Sequence, residues 1–146
     1  MSPIIAKSPG ANLHGENPMR YDCNVQGCFN KYMRPKLEQF AKCFPRRINF
    51  GDVDGLVEIN SKALLLEWKA PGAKLKTAQE IMLKRLSATG IISGLCVWGN
   101  ALTMDTTGMM TFNRGNQGQF TPATLDEVKN YIRRWAEYAD AIREQR

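Results

Sequence analysis

The chain has 146 residues, a formal net charge of +6, and 43% hydrophobic against 23% charged residues. That length suits one domain with a real core, and the composition is that of a globular protein rather than a disordered or fibrous one. No apolar run approaches about 18 residues, which excludes a transmembrane helix, and the opening residues lack a charged segment followed by an apolar one, so a cytoplasmic protein with no membrane partner is expected. Residues 1–20, with Pro3, Pro9, Gly10, Gly15 and Pro18 and little periodicity, read as a flexible arm, and residues 21–146 as the single domain. Tyr21–Met33 reads as irregular. A helix is expected from Pro35, with Leu37, Phe40, Ala41 and Phe44 as its apolar stripe and Pro45 ending it. Glu38 lies beside that stripe, either turned along the rim toward the next element or paired with Lys42 at i,i+4.

That next element, Phe50–Lys69, carries most of the information. Apolar residues alternate over Val53–Ile59, Asn60-Ser61 supply turn chemistry, and Ala63–Lys69 follows as a more buried strand, so a β-hairpin is expected. A two-residue turn sets Ile59 opposite Lys62 and makes every cross-strand pair sum to 121. Asp54 then faces Glu67, Asp52 faces Lys69, and all four share one face of the sheet. Opposed carboxylates repel, and a hard divalent cation ligated by both would offset that. The other reading is a cross-strand Asp52–Lys69 ion pair with Glu67 solvated.

After a loop, a second helix is expected over Leu75–Ala88, with Gln79, Met82, Leu83 and Leu86 on one face. An amide in that stripe needs hydrogen-bond partners, and Gln79 serves either the carboxylates or the helix end. Gly90 ends the helix and Ile91–Gly99 reads as a buried strand. Leu102–Phe112 reads as a second hairpin around Thr106-Thr107-Gly108, and Asn113–Gln119 as a polar, glycine-rich loop. Thr124–Glu127 is a capping box opening a helix whose apolar face is Val128, Ile132, Trp135, Ala139 and Ile142. The order of elements gives an α/β domain with a mixed central sheet flanked by helices.

Charge is segregated along the chain. Lys31, Arg34, Lys36, Lys42, Arg46 and Arg47 stand against Glu38, and Lys69, Lys74, Lys76, Lys84 and Arg85 against Glu80. Between them, Asp52, Asp54, Glu58 and Glu67 stand against Lys62. An acidic centre between basic arms suits an enzyme acting on a phosphate polymer. Solvated basic faces beside an acidic strand are the other reading.

Asp54…Glu67-Trp68-Lys69 resembles the signature of the PD-(D/E)XK nuclease superfamily. The following helix with Gln79, and Gly90 before the next strand, most resemble the VRR-NUC and Holliday-junction-resolvase-like branches. The resemblance covers Arg34 to Gly99, with Val53 where a proline often stands and Asp52 a second candidate acid. It implies a restriction-endonuclease-like core and a Mg²⁺-dependent deoxyribonuclease, with Mn²⁺ as a substitute. Asp54, Glu67 and the Trp68 carbonyl would ligate metal. Lys69 and Gln79 would assist catalysis, and Glu38 would complete the site. Lys36, Arg46, Arg47, Lys74, Lys76 and Arg114 would contact DNA. The absence of a recognition module points to branched, nicked or flapped DNA rather than a base sequence, and small resolvase-like domains suggest a homodimer. No Walker-type loop is present, so no nucleotide cofactor is expected. The alternative is an inactive nucleic-acid-binding or interaction module on the same scaffold. Cys23, Cys28, Cys43 and Cys96 are expected as reduced thiols; Cys23, Cys28 and Cys43 with His14 could instead hold zinc, though not at a specific zinc spacing.

Overall fold

The computed structural model describes residues 35–142. The arm, Cys23, Cys28 and His14 lie outside them. The chain divides into two units, one taking in the described residues up to Asp52 and the other those from Val53 onward.

In the first unit the expected α-helix is instead a seven-residue 3-10 helix, Leu37–Cys43, with none of its residues buried. Phe44 precedes Pro45, whose ring disfavours the helical conformation there, and it is extended at φ −109° and ψ 150°. A single short segment so constrained falls below the length at which α-helix propagation repays nucleation. The expected stripe becomes a local aromatic cluster: Phe40 and Phe44 both meet Phe50 edge to face, at ring-centroid distances of 6.0 and 5.2 Å. Glu38, Lys36, Arg46 and Arg47 belong to this unit and are exposed.

The second unit is built on a mixed sheet. Its strands are β1 (Gly55–Ile59), β2 (Lys62–Lys69), β3 (Ile92–Gly99), β4 (Thr106–Asn113), β5 (Asn116–Gln117) and β6 (Thr121–Pro122). They run in the order β1-β2-β3-β4-β5, with β6 also paired to β4. Only β2 and β3 are parallel, joined through helix α1 (Thr77–Ala88). Helix α2 (Leu125–Asp140) follows β6. Alternation along β2 and β3 sorts the core into two layers. Leu64, Leu95 and Val97 pack with Val128, Trp135 and Ala139 of α2, while Leu65, Cys96 and Trp98 pack with Leu83 of α1 and with Phe112. The protein is therefore an α/β fold with helices on both faces of a mixed sheet. Among the described residues no helix is long and apolar enough to cross a membrane.

The β1–β2 register is the expected one, from Ile59↔Lys62 to Gly55↔Leu66. Asn60 (φ 49°) and Ser61 (φ 67°) both adopt the left-handed conformation of a type I′ turn. The Asn60 amide also donates to the carbonyls of Ala139 and Asp140, both at 3.1 Å, and so satisfies the C-terminal end of α2. The N-terminal end of α2 is closed by the expected box: Glu127 N–H donates to Thr124 Oγ1 at 3.3 Å and Thr124 N–H to Glu127 Oε1 at 3.2 Å.

Three expectations need correction. Leu102–Phe112 is not a hairpin: the chain reverses earlier, where Asn100 Oδ1 accepts from the N–H groups of Leu102 and Thr103, and Thr106–Asn113 is one strand. Gly108 sits mid-strand because a Cβ there would lie 2.1 Å from the Phe120 ring, a close approach that only glycine allows. Asn113–Gln119 is a loop only in part: Arg114 and Gly115, at φ 51° and 80°, form a two-residue turn between Asn113 and Asn116, Asn116–Gln117 are β5, and Gly118-Gln119 lie outside any strand. On α1, which begins at Thr77 rather than Leu75, Met82 is exposed and Ser87 is buried. The inward face runs through Leu83, Leu86 and Ser87, one step round the helix from the expected stripe.

Candidate functional site

β2 ends in Glu67-Trp68-Lys69. Side-chain alternation sends Leu65, Glu67 and Lys69 to the face covered by α1, so Glu67 lies in line with core residues and is only 8% exposed. Burial of a carboxylate requires partners. Gln79, in the first turn of α1, donates its amide to Glu67 Oε1 at 2.8 Å, and its own carbonyl accepts from Lys76 N–H at 3.4 Å. The Lys69 ammonium lies 3.5 Å from the same Glu67 oxygen. Helix α1 thus positions Gln79 over the strand end, and Gln79 serves the carboxylate and the helix end at once.

Asp54 stands one residue before β1, in a bend rather than on the strand. In a two-residue hairpin, Trp68 N–H would bond the Val53 carbonyl. Instead it donates to Asp54 Oδ2 at 2.7 Å, and the ladder stops at Gly55↔Leu66. The Asp54 side chain has replaced a backbone acceptor. The ladder therefore does not extend to the expected Asp52–Lys69 pairing, and Asp52 belongs to the other unit.

Burial raises the Glu67 pKa above its ordinary value, and the negative charge of Asp54 raises it further, while Lys69 and the Gln79 hydrogen bond act in the opposite direction. Below, in register on β3, Cys96 is fully buried, and burial followed by the charge of Glu67 pushes its thiol up to about 12. It remains a protonated, inert neighbour. Cys43, in the other unit, is an exposed free thiol.

Each carboxylate is fixed through one oxygen. Among the described residues Asp54 Oδ1 and Glu67 Oε2 have no hydrogen-bond partner, and since no buried polar side-chain atom there lacks one, the free Glu67 oxygen reaches solvent. The Trp68 carbonyl points to the same strand edge as its N–H, and hence toward Asp54. This all-oxygen donor set is of the kind that suits a hard divalent cation. Among the described residues no group of three or more His, Cys, Asp and Glu side chains comes together, so the two carboxylates would depend on backbone or water oxygens.

Of the expected site residues, the fold brings together Asp54, Glu67, Trp68, Lys69 and Gln79. Lys74 and Lys76 are exposed on the loop entering α1. Lys74 shares a cleft of about 410 Å³ with Trp98 and Phe120. Two residues of that cleft escaped the sequence reading. Trp98 lies in register with Lys69 and holds the Ala70–Lys76 loop through a 2.6 Å hydrogen bond from its indole to the Ala73 carbonyl. Phe120, 47% exposed, meets Trp98 edge to face at 5.1 Å. The only trace of it in the sequence is Gly108, the glycine its ring requires. Arg114 is not beside these residues. It turns the chain after β4, which runs antiparallel to β3, and so lies at the opposite end of the sheet.

The fold and site thus define an α/β protein with a buried glutamate, an adjacent aspartate and a paired lysine at the end of an inner strand. Comparison with family models, with curated proteins and with solved structures finds no match to this chain.

Proposed function

We propose that the chain is a Mg²⁺-dependent nuclease acting on branched, nicked or flapped DNA, built on a restriction-endonuclease-like core. The observation that carries this reading is Glu67: a carboxylate held within an apolar face, against desolvation and against the charge of Asp54. A leucine there would continue the Leu65 layer at no such cost, so structure alone gives no reason for the acid. Asp54, Glu67 and the Trp68 carbonyl would hold Mg²⁺, or Mn²⁺ in its place. When bound, the metal supplies charge stabilisation at a phosphate and an activated water. Gln79 fixes the Glu67 carboxylate in one orientation. Lys69 places a positive charge on the face where a phosphate would gain negative charge. Lys74 and Lys76 carry the phosphate backbone past the start of α1, and the Phe120 ring offers an unpaired base a stacking surface.

The second reading, an inactive binding module, draws on the 3.5 Å Lys69–Glu67 pair, which already neutralises part of the site. A panel of branched, nicked, flapped and single-stranded DNAs with Mg²⁺, Mn²⁺ or EDTA separates the two. Cleavage with either metal, lost in EDTA and in Asp54→Ala and Lys69→Ala, is expected. Tight binding with no cleavage of any substrate moves the weight to the binding module. Replacing Lys74 and Lys76 together by alanine should reduce the slope of log affinity against log salt by about 2 for duplex DNA, at roughly 0.9 per phosphate contact. An unchanged slope would remove the second helix from the DNA path.

A further inference from the structure

At the other end of the sheet, where β2 and β3 begin and β4 ends, lies a cleft of about 360 Å³ that the proposed nuclease chemistry does not use. Its walls include Lys62, Arg114 and Arg134, its aromatic lining is Tyr131, Trp135 and Tyr138, and among the described residues no aspartate or glutamate lines it. Among the described residues none of the three cations makes an ion pair. Lys62 is anchored by donating to the Gly90 carbonyl at 2.8 Å, two residues past the end of α1. Tyr131 is held by the Asn113 amide, which donates to its phenol oxygen at 3.3 Å. Trp135 is buried and forms a rigid floor, whereas Tyr138 is 52% exposed and free to meet a planar group. Arg114 reaches the cleft through a left-handed turn position at φ 51°, where a non-glycine residue is uncommon.

Three cations without ion pairs, on a cleft that no carboxylate among the described residues lines, call for an anion, and the tyrosine faces call for a ring beside it. We propose that this cleft binds a nucleoside phosphate, with the phosphate on Lys62, Arg114 and Arg134 and the base against Tyr138 and Tyr131. On β2, Glu67 stands five residues after Lys62, and Trp68, whose N–H meets Asp54, six. At about 3.3 Å per residue the cleft therefore lies roughly 17–20 Å along the strand from the carboxylates and is a separate site. The ligand is either a free mononucleotide or the terminal nucleotide of a DNA strand, which present the same chemistry.

The test is titration of the full chain in EDTA, where cleavage plays no part, with thymidine 5′-monophosphate, inorganic phosphate and a 5′-phosphorylated octathymidylate. Affinity is followed by calorimetry and the site by amide chemical shifts. Thymidine monophosphate should bind at least about tenfold tighter than phosphate, the scale of one base–aromatic stack, and should shift amides around Gly90, Ile92 and Arg114. Arg114→Ala with Arg134→Ala, both exposed and outside the core, should weaken it at least tenfold. Tyr138→Ala should weaken the nucleotide but not phosphate. In a Lys74→Ala, Lys76→Ala background, the octathymidylate binding tenfold tighter than the mononucleotide assigns a strand end; equal binding there assigns a free nucleotide. Equal affinity for phosphate and the mononucleotide, no loss in the double variant, or shifts confined to Lys74 and Lys76 would each overturn the proposal. None of these outcomes depends on whether Asp54 and Glu67 cut DNA.

Discussion

Glu67→Gln should abolish Mg²⁺-dependent cleavage while raising the melting temperature in metal-free buffer at neutral pH. The loss of activity should exceed about 100-fold, since even the outer partners of metal ligands cost about 10–100-fold when removed. The gain in stability follows from the raised pKa of Glu67. A carboxyl that holds its proton more tightly in the folded chain contributes stability that is fully present below the ordinary value of 4.5 and lost as pH rises through the raised one. Glutamine has nothing to lose across that window. The difference in melting temperature between variant and wild type should therefore widen as pH rises from about 4.5 and level off above the folded pKa. Mg²⁺ should narrow it again by stabilising only the wild type. Asp54→Ala is a less clean probe, because it also removes the acceptor for Trp68 N–H. Melting curves over pH, with and without Mg²⁺, beside nicking of a labelled junction, check both halves. Undiminished cleavage by Glu67→Gln would end the mechanism at this residue. A variant less stable than wild type at every pH would show that the Lys69 and Gln79 contacts outweigh desolvation.

The largest loss of stability is expected from Phe112→Ala. Phe112 is fully buried beneath α1 among Leu65, Leu83, Cys96 and Trp98. It also closes on the backbone at Gly94, where an added Cβ would lie 3.1 Å from both Phe112 Cβ and Leu83 Cδ2. Truncation leaves a cavity between sheet and helix that neither can collapse into, and should cost about 3–5 kcal/mol. For a domain of this size that lowers the melting temperature by at least about 12 °C. Because α1 carries Gln79, cleavage should fall with it even at temperatures where the variant is folded. Phe120→Ala, at a half-exposed ring, is the matched control and should barely change stability. Chemical denaturation of both variants decides it: a loss under about 1 kcal/mol in Phe112→Ala would mean that α1 does not pack as described.

What the sequence by itself determined is what depends on near neighbours. Asn60-Ser61 specified a type I′ turn and, through it, the register that places Glu67 one step past the last pair of the ladder, because a two-residue loop leaves no freedom in pairing. Thr124 and Glu127 specified the start of α2 because a capping box closes within one turn. The alternation in Ala63–Lys69 put Glu67 and Lys69 on one face, since the period of a strand is two. Tertiary structure decided the rest, where distant elements compete for the same space or hydrogen bond. Gly108 reads as a turn until the Phe120 ring, a dozen residues on, is seen to cross it. Met82 and Ser87 are equally compatible with a buried helical stripe, and the rotation of α1 over Phe112 and Cys96 chose the serine. Asp54 left the strand because its carboxylate is a stronger acceptor for Trp68 N–H than the Val53 carbonyl. Arg114 read as a DNA contact from a polar loop, yet antiparallel pairing of β4 with β3 carried it to the end of the sheet opposite the carboxylates, into a cleft whose lysine, arginines and tyrosines come from β2, the β4–β5 turn and α2.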